Sequence, residues 1–440
     1  MKLLQKFRFF SICFACVFSL CFLTACQSNR LASTPNTEIL QAASTPSTCM
    51  ASADWVTQPN PPSEIPGGGQ NFCQFYQFSW QWFLYLMSPS GSDPSLRNFQ
   101  VTQNYPILQI DEDSCSSSST EPVFFLRMVK DPDDAAEFIL PERIGQAGGG
   151  ATIYDQNGNV VFYSIAFGRD LCTAPDSGNL PTDTTEIKTS WKVIDASEKA
   201  DYIWIDADVI PEDGEPIKET LGMVGYHLVR GTPEHPELVW TSYEHKSNAP
   251  NCLNPAAPPA DNWSFLSESC SNCLANPDSS CFDACQYNQA QPAMSLTDMT
   301  PSEICRIFPE GTAPGDSKGE ENIIDVDALN EQLVGPNGIL SSLPASDPMA
   351  VMANYFNIGG LWVSDPSQPA SSDNQRGGLQ LANPTMETTF QGTLTINNST
   401  IQASTDNGVN CFACHNYTPN ETASTRLSHI FDDIVKQRGS

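Results

Sequence analysis

The sequence predicts an α+β fold, an antiparallel β-rich domain led by one aromatic helix and followed by a small helical segment at the C-terminus. Three observations predict it. Between about residues 121 and 245, short β-branched or aromatic runs with a period of two alternate with turn residues. Before them, Phe75, Phe78, Trp82, Tyr85 and Leu86 recur at helical spacing. After them, helical periodicity returns around residues 325–333 and 348–355. A chain of 440 residues, 40% hydrophobic and 10% aromatic, has enough apolar surface to bury a sizeable core.

In chain order, residues 1–25 read as a cleavable leader. Lys2, Lys6 and Arg8 precede an apolar run over 9–22 that is too short to span a bilayer stably. It ends in Leu23-Thr24-Ala25-Cys26, which looks like a bacterial lipobox, so Cys26 is the expected acylation site and the first residue of the mature chain. Gln27 after the anchor points, by sorting rules, to the outer membrane, facing the periplasm or the cell surface. Residues 26–70 are rich in Ser, Thr, Pro and Asn, a composition that buries little and behaves as a flexible tether.

The helix over 71–87 carries a wide aromatic face that suits core packing. The strands are expected at 123–128, 152–154, 160–166, 185–194, 202–206, 222–229 and 238–243. Between the second and third, Asp155-Gln156-Asn157-Gly158-Asn159 is a hairpin turn, because Asn-Gly accepts the positive φ that such turns need. It does not match a calcium loop, since its glycine is misplaced and no bidentate Glu follows. Residues 250–310 are rich in Cys, Pro and Asn and read as irregular. These boundaries give a β-rich, disulfide-containing domain over 71–305 and a second region over 306–440.

Charge and cysteine usage narrow the function. With 21 Lys+Arg against 51 Asp+Glu, the net charge is −30, which repels nucleic acid and favours a basic partner protein. Sixteen cysteines indicate an oxidising compartment. With Cys26, Cys411 and Cys414 set aside, ten mature cysteines remain, at 49, 73, 115, 172, 252, 270, 273, 281, 285 and 305, enough for five disulfides. The competing reading is that Cys270, Cys273, Cys281 and Cys285 hold zinc or an iron–sulfur cluster. Disulfides are the expectation, because no nearby basic residues stabilise thiolates.

The chemistry is concentrated in Cys411-Phe412-Ala413-Cys414-His415, the spacing of covalent c-type haem attachment. Two thiols one helical turn apart reach the two porphyrin vinyl groups, and the following histidine is aimed at the iron. Only 5 residues of the chain are His, so one placed directly after a Cys-x-x-Cys pair by chance is uncommon. One covalent haem c, with His415 as proximal ligand, is therefore expected. For the distal position the candidates are His429, expected within an otherwise apolar-periodic terminal helix, then Met386, with Met349, Met352, His245 and His227 behind them. Glu244 and His245, at the end of an expected strand, are candidate acid/base groups if the protein is a catalyst; their alternative is a surface pair with a structural hydrogen bond.

Several segments together resemble a broad family of exported bacterial cytochrome c proteins. They are Phe78-Ser79-Trp80-Gln81-Trp82-Phe83, Asp155-Gln156-Asn157-Gly158, Ile187-Lys188-Thr189-Ser190-Trp191-Lys192-Val193, Val224-Gly225-Tyr226-His227-Leu228, and Val239-Trp240-Thr241-Ser242-Tyr243-Glu244-His245 with Asn248-Ala249-Pro250. Near the C-terminus come Leu381-Ala382-Asn383-Pro384-Thr385-Met386-Glu387-Thr388, the Cys411–His415 motif and Ser428-His429-Ile430-Phe431. The likeness spans most of residues 75–435 and departs at Asn383-Pro384-Thr385, where the family has an unbroken Asn-Thr-Thr/Ser-Thr run. It implies a membrane-anchored monohaem lipoprotein that carries electrons in the cell envelope. The alternatives are a haem-dependent oxidoreductase with a distal pocket on the β-rich domain, and a non-redox binding or structural lipoprotein.

Overall fold

The computed structural model describes residues 48–438 except 109–112, 117–122, 126–128, 131–137, 140–151, 177–178, 211–216, 260–261, 278, 290–298, 314–315, 317–318, 372, 397–398, 404–409, 416 and 420–426. The leader, Cys26 and most of the tether therefore lie outside the described residues. The helices are α1 (Asp54–Thr57), α2 (Phe72–Met87), α3 (Glu268–Ala275), α4 (Ser279–Cys285), α5 (Glu320–Val334), α6 (Cys411–Cys414) and α7 (Phe431–Arg438). The strands are β1 (Val123–Phe125), β2 (Val129–Lys130), β3 (Phe138–Ile139), β4 (Phe162–Phe167), β5 (Thr185–Val193), β6 (Trp204–Ile210), β7 (Ile217–Thr232), β8 (His235–His245), β9 (Tyr355–Val363), β10 (Gln375–Gly377), β11 (Thr393–Ile396) and β12 (Ser399–Gln402).

The fold is mixed α+β around one large sheet of eight strands. Its pairings are antiparallel except for β1, which runs parallel to β6. β7 is the spine: β5 pairs along one edge, while β6 takes the first part of the other edge and β8 the rest. The chain beyond residue 306 is not only helical. β9 and β10 extend the main sheet beyond β8, and β11 and β12 form a separate hairpin.

One sheet face is covered by α2. The Asn71 side chain caps this helix by accepting from the Gln74 N–H at 3.2 Å. The aromatic stripe then meets aromatic residues of the strands: Phe83 stacks on Tyr243 with centroids 3.7 Å apart, and Phe75 on Trp362 at 3.6 Å. Such pairs add about 0.5–1.5 kcal/mol each beyond their area burial. The approach is close enough to need Gly360 in β9, where an added Cβ would stand 2.4 Å from Phe75 Cε1.

Side chains alternate across a strand, so Glu186, Lys188, His227, Val229, Trp240, Ser242 and Glu244 share the opposite face, as the β5–β7–β8 register shows. That face is covered by the 381–390 loop and the C-terminal segment. Asn383 Nδ2 donates to Ser242 Oγ (3.0 Å) and the Tyr243 carbonyl (3.1 Å), and Tyr163 O–H donates to the Thr385 carbonyl at 2.8 Å. Phe431 and Ile434 of α7 pack with Phe167 and Leu171.

Three local expectations change. The stretch 348–355 forms only a 3-10 turn over Ala350–Asn354 before Tyr355 opens β9. The region 250–310, expected to be irregular, contains α3 and α4, the former capped by Ser267, whose Oγ accepts from the Cys270 N–H. His429 precedes α7, in a turn, and is not part of the terminal helix. The Asp155 turn is as expected: Gly158 has φ 77° and donates to the Asp155 carbonyl at 2.9 Å.

The ten cysteines pair as Cys49–Cys73, Cys115–Cys172, Cys252–Cys305, Cys270–Cys285 and Cys273–Cys281. The four thiols that could have formed a tetrahedral metal site are thus joined as two nested bridges between α3 and α4. Among the described residues no group of three or more His, Cys, Asp or Glu side chains is arranged to hold a metal ion. No helix of the described residues is long and apolar enough to cross a membrane.

Candidate functional site

The C-terminal motif forms a single helical turn. Cys411–Cys414 make one turn of helix, and His415 follows at its C-cap, where its N–H donates to the Cys411 carbonyl at 2.7 Å. Phe412 anchors the turn in a cluster with Val229, Trp240, Leu361, Leu381 and Leu427. His415 is therefore seated on the sheet face opposite α2.

Its ring has a fixed tautomer. His415 Nδ1–H donates to the Leu427 carbonyl at 2.8 Å, which leaves the lone pair on Nε2. Burial, then the nearby Lys188 charge and His429, push its pKa well below the usual histidine value, so the imidazole is neutral. A neutral histidine with one nitrogen tied to a backbone carbonyl is what a metal requires of this ligand. The residues present thus fit a haem iron, which His415 Nε2 would hold beside a Cys-x-x-Cys turn.

Two rings lie against His415. Trp240 is 4.3 Å away between centroids, and His429 stacks on it at 4.1 Å with planes 16° apart. His429 is exposed. The structure thus brings the first distal candidate to the proximal one, but face to face, whereas ligands of one metal direct ring nitrogens at it over bonds of about 2 Å.

The other candidates are engaged elsewhere. Met386 is fully buried within the 381–390 loop, where its N–H donates to the Asn383 carbonyl at 2.9 Å. His227 Nε2 bonds Glu387 at 2.9 Å, and the Asn383 N–H donates to the same carboxylate at 2.7 Å. His245 uses both nitrogens: Nε2–H donates to the Asp201 carbonyl at 2.9 Å, and Nδ1 accepts from the Ser247 hydroxyl at 2.7 Å. Its pKa is pushed down to about 3, chiefly by burial. Glu244, on the other sheet face, accepts from Arg306 Nε at 2.8 Å and has no exposed surface. The Glu244–His245 pair is thus buried and divided between two faces, not a surface pair. Met349 and Met352 belong to the core that contains α2 and α5.

Three residues of the site carry no assignment from the sequence: Trp240, Lys188 and Leu427. Leu427 acts through its carbonyl, which no side-chain pattern reveals. Trp240 and Lys188 join the site because the register puts them on one face with His227, a fact that follows only once β5, β7 and β8 are aligned.

On the same face Glu186 is completely buried, with the Lys188 charge and the Ser428 side chain the groups that act on its carboxyl. Burial raises its pKa, against the opposing charge of Lys188. A carboxyl whose folded pKa is raised contributes stability that is fully present below its unfolded value of about 4.3 and is lost as pH rises through the folded value. Glu186→Gln is therefore expected to stabilise the protein at pH 8 by about 1–3 kcal/mol, with the gain vanishing near pH 4. Urea unfolding at both pH values measures it, and an equal effect at the two would count against a buried, protonated Glu186.

No protein-family model matches the chain, and neither a curated protein nor a solved structure matches it, so the cytochrome c resemblance rests on the quoted residues alone.

Proposed function

We propose that the protein is a membrane-anchored monohaem c-type cytochrome lipoprotein that transfers electrons in the cell envelope. The observation that carries this reading is the His415 Nδ1–Leu427 carbonyl hydrogen bond at 2.8 Å, directly after a Cys-x-x-Cys helical turn. Bound there, haem supplies one-electron redox chemistry. The chain does the rest: Cys411 and Cys414 form the thioethers, His415 offers Nε2, and Phe412 and Trp240 shield the ligand from water. The net charge of −30 would steer a basic redox partner, and acylated Cys26 would hold the protein at a membrane, by its Gln27 the outer one.

A second reading, a haem-dependent oxidoreductase, is favoured by one observation. His227 and Glu387 form a 2.9 Å acid/base pair on the sheet face that carries Trp240 and Lys188. Spectra of the purified protein, oxidised and reduced, with and without carbon monoxide, separate the two. The carrier reading expects a low-spin spectrum that carbon monoxide leaves unchanged. A high-spin spectrum that shifts on adding the gas would favour the enzyme.

A further inference from the structure

β8 ends in a hydrogen-bonded relay that the haem reading does not use. His245 Nε2–H donates to the Asp201 carbonyl at 2.9 Å, so the Nδ1 lone pair is left to accept, and the Ser247 hydroxyl donates to it at 2.7 Å. With the Ser247 proton directed there, Ser247 Oγ accepts from the Tyr202 hydroxyl at 3.0 Å. The imidazole is held in place: it stacks on Tyr202 at 4.1 Å, meets Tyr355 edge-on at 5.1 Å, and its carbonyl partner also accepts from Asn354 Nδ2 at 2.8 Å. The turn that carries Ser247 is pinned as well, because the Ser264 N–H donates to the Ser247 carbonyl at 2.8 Å. His245 is buried, whereas Ser247 is half-buried and lines a cavity of about 690 Å³, a volume suited to a small organic ligand. Asp155, Lys192, Glu198, Trp263 and Leu266 line the same cavity, and the buried Trp263 indole N–H has no acceptor.

We infer that Ser247 is the nucleophile of a Ser–His hydrolytic site, with His245 as its base and the Asp201 carbonyl in the place of a triad carboxylate, and that the substrate is a small uncharged carboxylic ester. A hydroxyl bonded to an imidazole whose other nitrogen is oriented by an oxygen is the arrangement that activates serine. In the first step Ser247 Oγ bonds the ester carbonyl carbon as its proton passes to His245 Nδ1. The C–O bond to the alcohol then breaks, and the alcohol leaves with that proton. Water repeats the sequence on the acyl-serine, releasing the acid and restoring the hydroxyl. An ester without net charge fits because the lining sets Lys192 against Asp155 and Glu198, and the chain's net charge of −30 repels anions. Turnover is expected to be slow, since a carbonyl balances an imidazolium less well than a carboxylate does and burial already pushes the His245 pKa down to about 3.

Covalent labelling by a fluorophosphonate therefore tests the site, because a single attack by Ser247 displaces fluoride and leaves a stable adduct. The purified protein and its Ser247→Ala, His245→Asn and Ser264→Ala variants are treated alike, and the labelled peptide is identified by mass spectrometry. The adduct is expected on Ser247, absent from Ser247→Ala, and formed at least about tenfold more slowly in His245→Asn. Ser264→Ala, which removes a hydroxyl 3.4 Å from that of Tyr202, should label as the wild type does. Folded wild-type protein that takes no label at Ser247, or a rate that His245→Asn leaves unchanged, overturns the inference. Should His245→Asn fail to fold, the comparison passes to wild-type protein in urea: an adduct that forms on Ser247 as fast in the unfolded chain as in the folded one overturns it equally. Labelling needs no haem, so neither result bears on the haem reading.

Discussion

Replacing Arg306 by methionine is expected to destabilise the protein by about 3–5 kcal/mol, the cost of stranding one member of a buried ion pair. Glu244 has no exposed surface and Arg306 retains 6%. The guanidinium donates from Nε to Glu244 at 2.8 Å and from Nη1 to Asn251 Oδ1 at 2.6 Å. The backbone around it is pinned as well: the Arg306 N–H donates to the Pro250 carbonyl at 2.9 Å and its carbonyl accepts from Cys252 at 2.8 Å, beside the Cys252–Cys305 disulfide. Methionine fills similar volume but leaves a carboxylate that burial already pushes above its usual pKa, now without the opposing charge. Because the folded pKa is raised, the deficit should shrink as pH falls and Glu244 is protonated, and grow as pH rises. Arg306→Met combined with Glu244→Leu should recover most of the loss, since an apolar replacement for both partners is often neutral. Chemical denaturation of the single and double variants measures this. A loss below about 1 kcal/mol for Arg306→Met would mean that the pair is solvated and does not tie the loop to the sheet.

His429→Ala is expected to convert a low-spin haem to a high-spin one that binds carbon monoxide, whereas Met386→Leu leaves the spectrum unchanged. The two differ in what ligation would disrupt. Met386 is buried under a loop whose Asn383, Thr385 and Glu387 are bonded to Ser242, Ser190 and His227. Freeing it would break several hydrogen bonds worth about 1 kcal/mol each. His429 is exposed, sits in a turn two residues after the carbonyl that holds His415, and already contacts that ring at 4.1 Å. Ligation by His429 would exchange its face-to-face contact with the His415 ring for a bond through nitrogen. If Met386→Leu abolishes the low-spin spectrum and His429→Ala does not, the assignment is wrong, and the potential should be higher, because thioether ligation favours ferrous iron.

The sequence shows some of this architecture clearly, for identifiable reasons. α2 was legible because ten of its residues are buried and its aromatic side chains keep helical spacing. β5 was legible because its alternation is unbroken, and the Asp155 turn because Asn157-Gly158 has few other uses. β9 was missed for an equally physical reason. Asn357, Gly359 and Gly360 are poor strand residues, yet Gly360 lets Phe75 approach and Gly359 takes φ 123°, so tertiary packing overrides local preference. At the site, the Cys-x-x-Cys-His spacing marked His415, and its exact partner could not be read, because Leu427 contributes a backbone oxygen. Trp240 was hidden by distance in sequence: it meets His415 only through strand register, on the face that also carries Lys188. Glu244 and His245 looked alike as a dipeptide, but the pleat turns one towards Arg306 and the other towards Tyr202.

The central claim is that Cys411 and Cys414 carry one covalent haem. The most direct test is a pyridine haemochrome assay on protein expressed with its leader in a host that matures c-type cytochromes, purified and then denatured in acid–acetone. The account predicts one haem per chain, retained by the denatured polypeptide, and a complete loss of that retained haem when both Cys411 and Cys414 are replaced by alanine. Wild-type protein with no Soret band, or with haem that extracts freely into acid–acetone, would contradict it.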